Sequence, residues 1–330
     1  MQKFFLSLLL IPLFLQSQNF DRRFSKDFIE EMTNTLNVRF GLDNDIESFD
    51  FKEDELSYSV SPNLNYKMRL AINYRFLSFK IGYTPTFFAN ADSDKKGKTK
   101  IFKVGGDVFL NNWLQTLEYS KIQGYYISDI KIGNEFLPGY EDYIVLPNLK
   151  SVIIGSMTRY KFNEKYSLKS LINQTEIQRK SAGTFMPSFI LKYNKISDSS
   201  INETFNIFDV AVTAGYYYNF VINRRWFVNA GFAPGLGYEY SRRESEADMV
   251  KKTRDNSALV TLLLVDFGMG YNSKDFFGGF NFNGNFLNRD ENPLVEFNTS
   301  RSFVQMYIGY RFKAPNFLKN AVDKIEYTSP

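Results

Sequence analysis

The stretch QMYIGYRF, residues 305–312, decides between two classes of β protein. Every second residue from Met306 to Phe312 is apolar or aromatic, and Gln305 and Arg311 lie on the alternate positions. Successive side chains of a strand point to opposite faces, so one face of this strand is apolar. A half-buried strand of a soluble sandwich has this pattern, and so does a barrel strand whose apolar face meets lipid.

The first residues, MQKFFLSLLLIPLFLQSQ, have the pattern of a secretory signal peptide. Lys3 supplies one positive charge, residues 4–15 are apolar, and small or polar residues follow. An apolar run of this length is too short to cross a bilayer as a helix. We therefore predict that residues 1–17 are a signal peptide and that the mature chain leaves the cytoplasm.

The composition excludes several classes of function. The chain has no cysteine and no histidine, so it can form neither a thiolate or imidazole metal site nor a Ser-His-Asp triad. Its net charge of +4 is small, and its lysines and arginines are dispersed, so we expect no nucleic-acid partner. We expect no enzyme activity, cofactor or metal, although acid–base chemistry by carboxylates stays open.

The apolar residues favour alternating strands. The chain contains 34 Phe and 21 Tyr, yet its mean hydropathy is −0.31. From residue 34 onward the apolar period is two, and pairs of alternating runs flank short gaps such as Arg75 and Phe76. Five tight turns are predicted, near residues 75, 111, 163, 223 and 273, with long charged loops between them. Short turns at one end and long loops at the other are typical of outer-membrane barrels.

The fold class predicted from these features is all-β. Residues 34–312 are expected to form a transmembrane antiparallel up-and-down β-barrel of about 12 strands, with 10–14 possible, and the count is even if both chain ends lie in the periplasm. Twelve requires that residues 55–61 extend the strand through Tyr74. It also requires that residues 182–193 continue a strand that begins at Tyr166. A soluble sandwich is the alternative fold.

Short helical segments are predicted at both ends of the barrel. Apolar residues in FDRRFSKDFIEEM have helical spacing, which predicts a short periplasmic amphipathic helix over residues 18–33. Residues 313–330 follow the last strand and also place apolar residues on one helical face. We expect this tail to stay in the periplasm or to cap that mouth of the barrel.

Aromatic residues concentrate beside the predicted tight turns and at the end of the last strand. Aromatic belts mark the membrane interfaces of barrels, so we expect a girdle at the periplasmic interface. Its predicted members are Tyr74, Trp113, Tyr160, Tyr166, Tyr218, Trp226, Tyr271, Phe276, Tyr310 and Phe312.

The run NQTEIQRKSAG, residues 173–183, is more polar than strand alternation requires. An acid facing a base can set a field across a pore, so one interpretation is a ligand-binding or constriction element at the extracellular mouth. A solvated strand extension with ordinary ion pairs is the other interpretation. The residues concerned are Asn173, Gln174, Glu176, Arg179, Lys180 and Ser181.

Four charged residues outside this run are predicted to face the lumen, namely Glu118, Arg159, Asp266 and Arg311. Asp266 shares a strand face with leucines, and an unpaired buried carboxylate is costly. We therefore expect Asp266 to pair with Arg159 or Arg311 as a structural ion pair.

Several stretches carry a resemblance to one family: NYRFLSFKIGYTP, KGKTK, LEYSKIQGYY, and most specifically SLKSLINQTEIQRKSAG. Over residues 35–315 the chain resembles secreted proteins of Bacteroidetes-type Gram-negative bacteria that form a domain of unknown function. The resemblance implies an outer-membrane location. It implies no activity, substrate or catalytic residue.

The sequence therefore supports two functional hypotheses. The first is a monomeric outer-membrane barrel that acts as a passive channel or as a transporter of small solutes or lipid. The alternative is a structural or surface-interaction barrel with a closed lumen, whose extracellular loops bind a partner or glycan. The expected partners are outer-membrane lipid and, because the last strand ends on an aromatic residue, the barrel-assembly machinery.

Overall fold

The computed structural model describes residues 27–328 except residues 45, 54, 64–65, 86–92, 134, 137–142, 248–249 and 290–295. The predicted signal peptide, residues 1–17, lies outside the described residues, as do residues 18–26 of the predicted N-terminal helix. Over the described part of the chain, no helix is long and apolar enough to cross a membrane.

Most of the described chain is antiparallel strand. In chain order, the elements of the first half are β1 (Ile29–Glu31), β2 (Thr35–Asp43), β3 (Ile46–Glu53), β4 (Leu56–Ser61), β5 (Lys67–Tyr74), β6 (Leu77–Tyr83), α1 (Ser93–Lys96), β7 (Lys100–Leu110), β8 (Trp113–Ile132), β9 (Glu135–Phe136) and β10 (Ile144–Tyr160). The elements of the second half are α2 (Lys169–Ile172), β11 (Glu176–Gln178), β12 (Ala182–Asp198), β13 (Glu203–Ile222), β14 (Trp226–Ala247), β15 (Val250–Asn272), β16 (Phe276–Arg289), β17 (Glu296–Lys313) and α3 (Asn316–Thr328).

Twelve strands close into a ring, which confirms the predicted all-β barrel. The order runs β10, β12 to β17, β2, and β5 to β8, and the ring closes because β8 also pairs with β10. The hairpin β3–β4 continues β2 and β5 upward and joins β17 to β8 beyond the short strands β6 and β7. Residues 56–61 therefore extend the strand that ends at Tyr74, as predicted.

The last strand has the predicted alternation. Met306 and Ile308 are 65% and 59% exposed on the outer face, whereas Gln305 and Arg311 are 2% and 4% exposed and point inward. Large apolar side chains are exposed around the same outer face of other strands, among them Phe79, Phe232 and Leu259. The barrel thus has an apolar exterior and a polar interior, the reverse of a soluble sandwich.

Four of the five predicted tight turns form, and they lie at one end of the barrel. They connect β5 to β6, β7 to β8, β13 to β14 and β15 to β16. Arg75, Asn111 and Asn223 have left-handed backbone angles in these turns, with φ near +50°. We call this the short-turn end.

At the other end of the barrel, the long loop predicted between the turns near residues 223 and 273 is instead largely regular strand. The ladder between β14 and β15 continues without interruption from Trp226–Tyr271 to Ala247–Val250. Polar cross-strand pairs such as Arg242 with Asp255, whose Nε and Oδ1 are 2.7 Å apart, extend it beyond the apolar part of the wall.

The fifth predicted turn, near residue 163, is wrong. Residues 161–181 leave the wall between β10 and β12 and fold into the short-turn end of the lumen, where they carry α2 and β11. We call residues 161–181 the plug. No strand begins at Tyr166, because Tyr166 and Leu168 instead pack against wall residues such as Met186 and Leu264. Since β12 is a separate strand that begins at Ala182, the total remains twelve.

The N-terminal helix predicted over residues 18–33 is also wrong where the structure describes it. Residues 29–31 form β1, which pairs with β11 of the plug. This pairing satisfies backbone groups of the plug and buries Ile29, which is 3% exposed.

The C-terminal tail forms the predicted helix, α3. Its Val322 is buried in the same apolar cluster as Tyr74 and Ala314. Asp323 of α3 forms an ion pair with Arg75 in the β5–β6 turn, with 2.6 Å between Oδ1 and Nη1. The tail therefore packs at the short-turn end.

Close packing of aromatic rings on inward-facing glycines predicts an unequal response to two substitutions. A Cβ at Gly309 would lie 2.2 Å from the Phe277 ring, whereas at Gly82 the nearest atom would be 3.7 Å away. We expect Gly309→Ala to lower the free energy of unfolding by about 1–3 kcal/mol, and Gly82→Ala to change it little. Urea unfolding in lipid vesicles, followed by the fluorescence of Trp113 and Trp226, measures both. Equal losses would contradict the packing at Gly309.

Candidate functional site

The lumen contains a polar chamber of about 390 Å³ between the plug and the far end of the barrel. Apolar side chains of the plug, Tyr166, Leu168, Leu171 and Ile172, form its floor. Beyond the chamber, a buried apolar cluster includes Phe49, Ile122 and Ile196. The plug therefore bounds the chamber at the short-turn end.

One wall of the chamber is cationic. Arg39 of β2, Arg69 of β5, Lys80 of β6 and Lys103 of β7 follow one another around the barrel and line the chamber. Arg69 Nε lies 3.0 Å from an oxygen of Asp43, and Lys80 forms an ion pair with Asp107. Four neighbouring strands thus each supply one positive charge to the lumen.

The wall next to the cationic one, on β16 and β17, is lined by amides. Asn281, Asn283 and Asn285 occupy alternate positions of β16 and line the chamber, and Gln305 of β17 lies beside them. Phe280, Phe282 and Phe286 occupy positions of the opposite parity. The alternation FNFNGNF, residues 280–286, was a visible signal for this wall that the sequence reasoning missed.

Three of the four charged residues predicted for the lumen, Glu118, Arg159 and Asp266, line the chamber. The expected ion pair of Asp266 is wrong. Asp266 accepts a hydrogen bond from Asn283, which is its cross-strand partner on β16. A register neighbour reaches the carboxylate at lower entropic cost than an arginine from another part of the ring.

Arg311, the fourth, clamps the plug instead of pairing with Asp266. Its Nη2 donates hydrogen bonds to the Gln174 carbonyl at 2.5 Å and to Asn272 Oδ1 at 2.7 Å. Asn272 Nδ2 in turn donates to the carbonyls of Ser170 and Glu176, at 3.4 and 3.3 Å. One wall arginine therefore holds the plug both directly and through an amide.

The opposite side of the plug is held by β2 and the β5–β6 turn. Asn37 Nδ2 donates to the Gln174 carbonyl at 2.6 Å, and Arg39 Nη1 donates to the Ile172 carbonyl at 2.9 Å. Thr175 Oγ1 donates to the carbonyl of Arg75 at 2.9 Å. Together with Arg311, these contacts satisfy buried backbone carbonyls of a segment that has little secondary structure of its own.

The interior of the plug carries its own polar core. Glu176 accepts a hydrogen bond from Ser167 Oγ at 2.6 Å and lies 3.4 Å from Lys169 Nζ. Lys161 Nζ donates to the Tyr166 carbonyl at 2.5 Å. Burial lowers the pKa of the Lys161 amine to about 8, against the opposing attraction of Glu176. The plug thus folds around one acid and a buried amine.

The position predicted for the polar cluster of residues 173–183 is wrong, because residues 173–181 belong to the plug at the short-turn end and residues 182–183 begin β12. Asn173, Gln174 and Glu176 are buried inside it. The remaining three residues contact its surroundings: Arg179 forms an ion pair with Glu30, Lys180 Nζ lies 3.8 Å from Asp27 Oδ2, and Ser181 Oγ accepts from Val221 N at 2.9 Å.

Most of the predicted girdle residues lie on the outer face near the short-turn end. Ring pairs there include Trp113–Tyr160 at 4.7 Å, Trp226–Tyr271 at 5.1 Å, Tyr310–Phe312 at 4.9 Å and Tyr218–Phe220 at 4.4 Å between centroids, and Phe276 is 45% exposed.

Two girdle predictions are wrong. Tyr74 is 4% exposed and Tyr166 is 1% exposed. Tyr74 is buried in the cluster that contains Val322 of α3, and Tyr166 belongs to the plug rather than to the wall.

Within the described ranges, no group of three or more Asp, Glu, His or Cys residues could hold a metal ion. The carboxylates of the lumen instead pair with cations, as Asp43 does with Arg69 and Asp107 with Lys80, or accept from an amide, as Asp266 does from Asn283.

A family model described as a domain of unknown function (DUF4421) matches residues 23–312. No curated protein matches the chain.

Among solved structures, the β domain of the Bordetella autotransporter BrkA is 8% identical, with 84% of this chain and 99% of that chain covered and a TM-score of 0.38. OmpT of Vibrio cholerae is 7% identical, with 86% and 97% covered and a TM-score of 0.34. Ail, the attachment invasion locus protein of Yersinia pestis, is 15% identical, with 62% and 100% covered and a TM-score of 0.26. With such low TM-scores, these likenesses carry no functional argument.

Loss of the Arg311 clamp should loosen the plug. We expect Arg311→Met to speed amide hydrogen exchange in residues 161–181 by roughly tenfold or more, because charged hydrogen bonds contribute about 1.5–3 kcal/mol. Lys313→Met, which removes an exposed cation two residues away on the same strand, is the matched control and should leave exchange unchanged. Hydrogen-exchange mass spectrometry reads both. Unchanged plug exchange in Arg311→Met would contradict the clamp.

The low pKa of Lys161 predicts a pH dependence of stability. The folded-state pKa lies below that of the unfolded chain, so between about pH 8 and pH 10 the unfolded state binds more protons. The contribution of Lys161 to the free energy of unfolding should therefore rise with pH across this window. Urea unfolding should show a shallower rise in Lys161→Met than in the wild type, and the wild-type slope in the exposed control Lys319→Met. Identical slopes in all three would refute it.

Proposed function

We propose that this chain, which belongs to the family described as a domain of unknown function (DUF4421), is an outer-membrane β-barrel that passes small polar solutes through a lumen gated by the plug. The observation that carries the proposal is the plug itself. It fills the short-turn mouth below a polar chamber, and it is held by side-chain hydrogen bonds rather than by the wall's own ladder. Such contacts can be exchanged without breaking the barrel.

The apolar exterior supports a membrane location. Outward side chains such as Phe79, Val212 and Ile308 are more than half exposed, and bare apolar surface around a whole barrel is costly in water. The aromatic pairs Trp113–Tyr160 and Trp226–Tyr271 lie where a barrel meets the lipid headgroups. With the short turns in the periplasm, the plug closes the periplasmic mouth and the strand extension of β14 and β15 lies outside the cell.

A passive, permanently open channel fits these contacts less well than a gated one. Asn37 and Arg39 of β2 and Arg311 of β17 donate hydrogen bonds to the plug. The acceptors are the carbonyls of Ile172 and Gln174 and the side-chain oxygen of Gln174. Solute passage therefore requires the plug to shift or leave. A second candidate is a barrel whose lumen stays closed and whose extracellular strands bind a partner or glycan. The number of hydrogen bonds that hold the plug in place favours this candidate.

Planar-bilayer recording separates the two candidates. Replacing residues 164–183 by Asn-Gly joins Asn163 to Thr184, which lies opposite it when the register of β10 and β12 is continued, through a two-residue turn of the type that connects paired strands. We expect discrete, stable current steps from this variant, and silence or rare brief openings from the wild type. Heat-modifiable gel mobility of each protein establishes that the barrel is folded.

The result that would overturn gated transport is silence from a folded plug-less barrel. The apolar cluster around Phe49 and Tyr125, whose rings are 5.8 Å apart, would then keep the lumen closed, and the closed-lumen candidate would stand. Arg311→Met serves as an intermediate case, with more frequent openings than the wild type and than Lys313→Met.

A further inference from the structure

The chamber carries more positive than negative charge. Among the described residues that line it, Arg39, Arg69, Lys80, Lys103, Arg159 and Lys192 are cationic, and Asp107, Glu118 and Asp266 are acidic. Lys192 interacts with Asp209, which does not line the chamber. Arg69 is likewise paired with Asp43, which does not line the chamber, so four cations remain against three carboxylates. Excess positive charge inside a barrel is costly, so it favours a bound anion.

Arg159 is the cation best placed to receive that anion. Among the described residues, the only hydrogen-bond acceptor it reaches is Met157 Sδ, 3.0 Å from its Nε. Its two terminal nitrogens have no acceptor in the described part of the chain, although the side chain lines the chamber. The guanidinium fork has the geometry that binds a carboxylate or phosphate through two parallel hydrogen bonds.

Three other cations of the chamber differ from Arg159 because each has a protein partner. Lys80 is paired with Asp107, Arg69 with Asp43, and Arg39 donates to the plug. Their charges contribute to the potential of the chamber, but each of the three already has a protein partner. One anionic group, rather than several, fits this arrangement.

The amide wall offers a second kind of contact. Gln305 Nε2 and Asn285 Oδ1 are buried and have no hydrogen-bond partner among the described residues. Gln305 is 2% exposed and both side chains line the chamber. Leaving buried polar atoms unpaired is unfavourable. An amide donor and an amide acceptor on adjacent strands match the hydroxyl groups of a ligand, which can both accept and donate.

We propose that the chamber binds a small hydroxylated organic anion, with its anionic group on Arg159 and its hydroxyls on the amide wall of Asn285 and Gln305. The volume of about 390 Å³ lies in the range of small-molecule sites, about 300–1,000 Å³. This inference names the solute class of the gated transporter and rests on the proposed function for its biological role. The binding site itself requires neither a membrane nor movement of the plug.

Titration calorimetry on the purified, detergent-folded protein tests the site with three probes. Gluconate has one carboxylate and several hydroxyls, glucose lacks the carboxylate, and pentanoate lacks the hydroxyls. Gluconate should bind with a Kd at least about tenfold lower than either of the other two, because each of them loses one set of hydrogen bonds. Glucose or pentanoate binding as tightly as gluconate would overturn the proposal, and so would no gluconate binding by folded protein.

Two variants locate the anion and the hydroxyls. Arg159→Gln should weaken gluconate binding at least about tenfold and leave the weak glucose affinity unchanged. Arg242→Gln removes an arginine of the exposed pair with Asp255 outside the chamber and is the matched control, with unchanged binding. Gln305→Leu is the second test, and it should narrow the difference between gluconate and pentanoate. Wild-type affinity in Arg159→Gln, or in Gln305→Leu if the first variant does not fold, contradicts the site.

Failure of this inference is distinguishable from failure of gated transport. Gluconate binding by a protein whose plug-less variant carries no current would establish a ligand chamber in a closed barrel. Current from the plug-less variant without gluconate binding by the wild type would establish gating and reject this solute class.

Discussion

The structure depends on one constraint, which is that a sheet with an apolar outer face must place every polar side chain it carries inside a closed ring. The pairing of β8 with β10 closes that ring and leaves the lumen as the only interior. Lys67, Asp43 and Asp107 are each 2% exposed or less, because inward is the direction left to them. Closure therefore buries charged side chains inside the barrel, at a desolvation cost that the ion pairs and hydrogen bonds of the lumen offset.

The plug is part of that solution. Carbonyl oxygens of Ile172 and Gln174 accept hydrogen bonds from Arg39, Asn37 and Arg311, which would otherwise face a gap at the mouth. In return, these wall residues satisfy backbone groups that α2 and β11 leave without partners. Wall and plug thus stabilise each other through polar contacts, while Tyr166 and Leu168 add apolar contact with the wall. β1 completes the arrangement by pairing with β11.

The sequence predicted the wall well and the lumen poorly, for a physical reason. A wall strand has a strict period of two, because one face meets an apolar surrounding; this is visible in residues 305–312 and predicted the barrel and its strand number. The plug follows no such period. Residues after the tripeptide NEK look like a return strand because Tyr166 and Leu168 alternate, and nothing local reveals that both pack inward. Tyr74 was misplaced for a similar reason, since its burial depends on α3, more than two hundred residues later in the chain. Long-range partners decide these positions, and a single sequence does not display them.

The charges of the lumen connect the plug to the chamber. Arg39 lines the chamber and at the same time donates to the Ile172 carbonyl, so it belongs to both. Departure of the plug would remove the Ile172 carbonyl from Arg39, and the Gln174 carbonyl from Asn37 and Arg311. The excess positive charge of the lumen would then be less compensated. An anion in the chamber would offset that loss, because it supplies acceptors in place of the plug's carbonyls. If the chamber binds an anion as proposed, its occupancy and displacement of the plug are thermodynamically linked, and by reciprocity release of the plug would raise the affinity of the chamber for the anion.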